Sequence, residues 1–145
     1  MVIQRWQSVF LLLAAVAMAV YAFMPVMDFA AGKGVFSLYA LGGAEGDTSS
    51  VLLLCLEALI VVMNLITIFK FRQLKFQNRL CTVIAALDVA LLVSIGVLAL
   101  MQKGQAIVTI TPWIALPCIS MLFTLWAGNR IKADRKLLSD SNRLR

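Results

Sequence analysis

Two acidic side chains interrupt long apolar runs and are the clearest candidates for chemistry. Glu57 lies within Thr48–Phe69 and Asp88 within Leu80–Gln102, and neither run contains Lys or Arg. A charged group at mid-membrane costs roughly 2.5–3.5 kcal/mol, so each should face a helix-bundle interior or water and is a functional candidate by default. Measured from the midpoints of their runs, Glu57 falls on the outer side and Asp88 on the inner side. At ~1.5 Å of rise per residue, the expected difference in depth is roughly 8 Å, too far to share one proton directly. Asn64 follows Glu57 by seven residues, which places both on one face of a helix. Its expected depth is close to that of Asp88, and a hydrogen bond from the Asn64 amide to Asp88 is expected. Glu57, Asn64 and Asp88 thus form an expected intramembrane polar seam. Two chemistries remain open for it. One is a proton or ion relay, and the other is structural glue from protonated carboxyls, worth about 1 kcal/mol per cross-helix bond.

Familiar catalytic equipment is missing. The chain has no His, which removes imidazole zinc sites, Ser-His-Asp triads and His proton shuttles. It has no Cys-x-x-Cys, no phosphate loop and no Gly-x-Ser-x-Gly, and its serines lack the usual activating base. No enzyme activity, cofactor or metal is expected. Cys55, Cys81 and Cys118 fall at different depths, so they read as small packing residues rather than disulfide partners.

These side chains need elements to hold them, and composition says which. Of the 145 residues, 62% are hydrophobic and 14% charged. Soluble domains run near 45–50% and about 25%, and disorder needs low hydrophobicity, so both classes are excluded. The length suits one domain, residues 1–145. Four segments, about 6–27, 49–69, 80–102 and 108–129, are each long enough to cross a ~30 Å hydrocarbon core once as a helix. The first exceeds a signal-peptide core and has its small residues inside the run, so it reads as a membrane helix. The expected fold is an all-α membrane protein, a four-transmembrane-helix bundle followed by a tail at 130–145.

Orientation follows from the basic residues. Eleven of the thirteen Lys and Arg lie at one end: Arg5; Lys70, Arg72, Lys75 and Arg79 between the second and third spans; and Arg130, Lys132, Arg135, Lys136, Arg143 and Arg145 in the tail. Only Lys33 and Lys103 lie at the other. The positive-inside rule puts both termini in the cytoplasm of an inner-membrane protein. Trp6 and Trp126 fall at the inner boundary and Trp113 at the outer one, where such rings prefer to sit. The formal charge of +6 is therefore a matter of topology, and no nucleic-acid partner is expected. Arg72, Lys75, Arg79, Arg130, Lys132, Arg135 and Lys136 are expected to touch anionic inner-leaflet lipid, at about 1 kcal/mol per basic residue, or a protein partner.

The outer loops carry strand signals. Gly32, Gly34, Gly42, Gly43 and Gly46 flank the apolar stretch at residues 35–41. Residues 107–111 are β-branched throughout, and Pro112 suits the first turn of a helix. These two stretches are expected to pair into a small two-stranded outer sheet. The alternatives are an interfacial segment for 35–41 and an outer helical turn for 107–111. Ala15, Ala19 and Ala22, and likewise Ala86, Ala90 and Gly96, mark expected helix contacts. Pro117 should kink the fourth helix. Arg130 and Asp134 form an i, i+4 pair in a tail read as a helix continuing the fourth span or lying on the inner leaflet.

The opening Ile3-Gln4-Arg5-Trp6-Gln7-Ser8, running on into Leu11-Leu12-Leu13-Ala14, resembles that of a bacterial four-span membrane family catalogued only as a domain of unknown function. The segment Lys75-Phe76-Gln77-Asn78-Arg79-Leu80 is similar to that family's Lys-x-Gln-x-Arg-Leu loop. The ending from Lys132 to Arg145 is similar to its closing segment, departing at Arg135, Ser139 and Asn142, where Glu, Arg and Asp are usual. The resemblance covers the whole chain. It implies a four-helix inner-membrane protein and supplies neither an activity nor catalytic residues. Small size, lack of catalytic equipment and a charged tail lead to a non-enzymatic accessory or structural subunit of an envelope complex as the first expectation. Its rival is a small oligomeric proton-coupled transporter using Glu57 and Asp88. Expected contacts are the bilayer and either a membrane-protein partner or a second copy.

Overall fold

The computed structural model describes all residues except 1, 32–33, 42–47, 71–72, 103–106 and 144–145. Arg72, Lys33, Lys103, Arg145 and four of the loop glycines therefore lie outside the described residues.

The chain is mostly helical. The elements run α1 (Val2–Tyr21), β1 (Pro25–Ala31), β2 (Gly34–Tyr39), α2 (Thr48–Phe69), α3 (Leu74–Gln102), β3 (Ile107–Ile110), a 3-10 turn at Pro112–Ile114, and α4 (Ala115–Arg143). Each helix packs against two others: α1 against α2 and α4, and α3 against α2 and α4. Buried positions recur at helical spacing. They are Leu53, Glu57, Ile60, Asn64 and Thr67 on α2, and Ile84, Asp88, Leu91, Ile95 and Ala99 on α3. Leu12, Val16, Val62, Val93 and Leu125 point outward and are exposed. The interior is mostly apolar but holds Glu57, Asn64 and Asp88, and large apolar groups also cover the outward faces of the helices, the reverse of what a water-facing surface selects. Val51–Phe69, Leu74–Met101 and Pro112–Asp140 are long and apolar enough to cross a membrane, and Trp6–Tyr21 is a shorter apolar helix.

Several expectations need correction. The first helix does not run to residue 27. It ends at Tyr21, and the apolar residues beyond form β1. Pro25 supplies the reason, because it disfavours helix at the preceding residue and lacks the N–H that would continue one. The sheet accordingly has three strands in the order β2-β1-β3, with both pairings antiparallel. The stretches at 35–41 and 107–111 do not pair with one another; strands within them flank β1. Met27 stands opposite both Leu38 and Ile110. An irregularity between Pro25 and Met27 breaks the alternation, and Val26 and Met27 are both buried against the helices with Leu38, Met18 and Tyr21. Ser37 Oγ donates to Asp28 Oδ1 at 2.6 Å across the pair.

Thr111 ties the sheet to the last helix. Its hydroxyl lies 2.5 Å from the Pro25 carbonyl oxygen and 3.0 Å from that of Val26. Pro112 opens the 3-10 turn that leads into α4. Pro117 is the third residue of α4, within the first turn, where its missing N–H has no intrahelical acceptor to lose. It therefore marks the helix start and does not act as a mid-helix kink. On α3, Ala86 and Ala90 face outward, because the buried stripe passes through Ile84, Asp88 and Leu91 instead. Ala19 is exposed as well, and the close-packed small residues are Ala14, Ala15, Ala127 and Gly128. The tail continues α4 without a break to Arg143. Asp134 accepts a hydrogen bond from the Gln7 side-chain amide.

Candidate functional site

Glu57 and Asp88 are 1% and 0% exposed, and Asn64 is 0%. Each occupies the inward stripe of its helix, since i, i+3/i+4 and i+7 positions share a face. Their heights follow from one hydrogen bond. Gln77 Nε2 donates to the Thr67 carbonyl oxygen at 3.3 Å, which sets the register of the α2/α3 hairpin. Ten residues from Thr67 along α2 is Glu57, and ten from Gln77 along α3 is Leu87, next to Asp88. The two carboxyl-bearing residues therefore stand within ~3 Å of one height, not 8 Å apart.

The same register puts Asn64 opposite Leu80, about 12 Å from the height of Asp88. The expected Asn64–Asp88 bond does not form. Asn64 Nδ2 donates instead to the Ile60 carbonyl oxygen of its own helix, at 3.0 Å. The cause of both corrections is where α3 begins. Leu74–Arg79 is helical rather than loop, so the hairpin turns at residues 70–73 and α3 starts six residues, ~9 Å, earlier than expected.

The other helices bring polar groups to the same height. A Cβ built at Gly128 would lie 3.4 Å from Cys81 Cβ, so α3 and α4 run close there. Seven residues from Cys81 is Asp88, and seven from Gly128 is Met121, which lies between Ser120 and Thr124. From α1, the Gln7–Asp134 bond gives the level: fourteen residues on from Gln7 is Tyr21, and fourteen back from Asp134 is Ser120. Tyr21, Glu57, Asp88 and Ser120, with Thr124 a turn away, thus form one polar layer to which all four helices contribute. Sequence reasoning missed Tyr21, Ser120 and Thr124. The available signal was their helical spacing with neighbouring apolar positions, but an isolated hydroxyl in such a run gives no indication of the depth it shares with another helix.

The chemistry of the layer lies in its unmade bonds. Tyr21 Oη, both Glu57 oxygens, both Asp88 oxygens, Ser120 Oγ and Thr124 Oγ1 are buried with no protein hydrogen-bond partner. A buried polar group left unpaired costs about 1–3 kcal/mol. Structural glue needs those bonds made. A layer that leaves both carboxyls free can bind and release a proton, or offer oxygen ligands to a small cation. Among the described residues, no three of Asp, Glu and Cys gather as a metal cluster would require, and the three cysteines are free thiols.

The predicted basic residues occupy the end opposite the sheet. Lys75 and Arg79 lie in the first turns of α3; Arg130, Lys132, Arg135 and Lys136 lie on the exposed part of α4. Near that end Trp6, Phe10, Phe123 and Trp126 form an aromatic cluster across α1 and α4, with ring centroids 6.1–6.5 Å apart.

The family model described as Domain of unknown function (DUF4293) matches residues 3–144. The chain belongs to that family. The match takes in all four helices and the sheet, so the polar layer lies wholly inside the DUF4293 region. No curated protein and no solved structure matches the chain.

Proposed function

We infer that this DUF4293 protein is an integral membrane protein of the bacterial inner membrane. It is a four-helix bundle whose basic end, with both termini, faces the cytoplasm. We infer further that it works as a small oligomeric proton-coupled transporter, with Glu57 and Asp88 as the proton carriers. One observation carries this reading: two buried carboxyls at one height, each with both oxygens unpartnered. Support for the membrane setting comes from the large apolar side chains exposed on the outward faces of the helices and from the three helices of spanning length. Basic residues gathered at one end support the orientation. Four helices enclose little pathway, so the transported species would cross at a contact between copies.

Proton flux into vesicles containing the purified protein tests the reading. Glu57→Gln and Asp88→Asn should each lower flux by about tenfold or more while leaving thermal unfolding in detergent within about 1 kcal/mol, since an amide keeps the size of the acid but cannot carry its proton. Unchanged flux in both variants, or wild-type flux no higher than in protein-free vesicles, would overturn it.

A second reading, an accessory subunit of an envelope complex without enzymatic activity, has its own observation. Leu137 and Leu138 are exposed on the basic extension of α4, beyond its packing on the other helices. Purification from native membranes in mild detergent, with mass spectrometry of what accompanies the chain, tests it. A stoichiometric foreign subunit lost on changing Leu137 and Leu138 to Ser would favour this reading, and a homo-oligomer alone would remove it.

A further inference from the structure

Two outward-facing grooves flank α4 near the basic end of the bundle. One, of about 410 Å³, lies between α1 and α4 and is lined by Phe10, Trp126, Asn129 and Arg130. The other, of about 190 Å³, lies between α3 and α4, with Ala85 and Leu125 among its walls and Asn129 and Lys132 at its basic end. Asn129 belongs to both. This exposed amide on the outward ridge of α4 therefore has a cation on either side, Arg130 toward α1 and Lys132 toward α3. On the mid-membrane side of Asn129 the same ridge is apolar, with Leu122, Leu125 and Trp126 all exposed. The Phe10 and Trp126 rings meet edge-on at 6.1 Å and give the larger groove a firm wall.

Height and charge say what fits there. Asn129 is nine residues from Ser120 along α4, ~13 Å from the polar layer. Half of a ~30 Å hydrocarbon core is ~15 Å. A layer near mid-membrane thus puts Asn129, Arg130 and Lys132 where acyl chains give way to headgroups, and Trp126 in the belt that indoles prefer. Among the described residues neither cation forms an ion pair. Asp134, one turn on from Arg130, accepts from the Gln7 amide instead. A symmetric contact with a second copy across this ridge would set cations against cations. An anion that carries apolar chains suits both the cations and the grooves, and a guanidinium matches a phosphate in geometry as well as charge.

We propose that an anionic phospholipid of the cytoplasmic leaflet binds astride α4, its phosphate held by Asn129, Arg130 and Lys132 and one acyl chain lying in each groove. This rests on the membrane setting and orientation inferred above, and not on proton carrying by Glu57 and Asp88. Two variants test it, with Trp126 or Trp113 as the only tryptophan and the other two changed to Phe. Each is reconstituted in phosphatidylcholine vesicles holding a minor share of lipid with brominated chains, which quench an indole in contact with them. Brominated phosphatidylglycerol should bind beside Trp126 about fivefold or more tightly than brominated phosphatidylcholine, the factor that one basic residue near the surface supplies. Beside Trp113, exposed at the sheet end, it should show no preference. Changing Arg130 and Lys132 together to Gln should abolish the preference at Trp126. Changing Lys75 and Arg135 to Gln removes equal charge from the same end and should leave it. No preference at Trp126 would overturn the site. Equal loss in both double variants would do so too, by showing diffuse attraction to the basic end. Trp113 quenched while Trp126 is shielded from both lipids would mean that another protein surface covers the ridge, and would also overturn it. Quenching of neither indole by any lipid would remove the membrane setting and the proposal together. A preference at Trp126 in a protein without proton flux upholds the lipid site and removes the transporter reading.

Discussion

Gln77 donates its side-chain amide to the Thr67 carbonyl oxygen, and ten residues from this bond along each helix stand Glu57 on α2 and Leu87, the neighbour of Asp88, on α3. Residues ten positions away on each helix inherit their alignment from it. The site therefore depends on a residue that takes no part in its chemistry.

Gln77→Ala should then have two effects. Removing a buried hydrogen bond should cost about 1 kcal/mol of stability, read from thermal or denaturant unfolding in detergent. Proton flux should fall by more than that loss of folded protein explains, because the hairpin loses its register. Flux proportional to the folded fraction would show that the register is held elsewhere.

Asp88→Leu should separate stability from function. An apolar side chain of similar length removes two unpartnered buried oxygens, so the variant should be as stable as wild type or more so, by up to about 2 kcal/mol. Flux should be lost. A marked loss of stability would mean that the Asp88 carboxyl has partners in the membrane, which argues for glue.

The Gln7–Asp134 bond joins the first turns of α1 to the extension of α4. Asp134→Ala should loosen that extension, with faster amide exchange over residues 131–143 and little change in α2 or α3. The expected cost is about 1 kcal/mol, since the pair is only partly buried. An unchanged exchange pattern would show that Ile131, buried with Leu11 and Ala127, holds the extension without it.

Thr111→Val keeps the shape of the side chain but removes the hydroxyl that meets the Pro25 and Val26 carbonyl oxygens. It should cost about 1–2 kcal/mol and raise exchange in Pro25–Ala31 and Ile107–Ile110 more than in the helices. Equal exchange in both strands before and after would leave the sheet anchored by Val26, Met27 and Leu38 alone.

What could be read from sequence was local. Apolar composition, the lengths of the runs through Thr48–Phe69 and Leu80–Gln102, the shared face of Glu57 and Asn64, the end that gathers the basic residues, and the strand character within 35–41 and 107–111 all follow from spacing within one segment. Helix and strand periodicity are properties of neighbouring residues, so a single sequence carries them. Pro25 is a further local signal, masked by the apolar run that continues through it. The tertiary structure decided what no segment contains: that Pro25–Ala31 is the central strand, that Glu57 and Asp88 are level while Asn64 is not, and that Tyr21 and Ser120 join them. Those relations depend on the register between elements. Register is set by a few contacts distant in sequence, such as Gln77 on Thr67 and Gly128 beside Cys81, and starting α3 six residues earlier moves heights on it by up to ~9 Å.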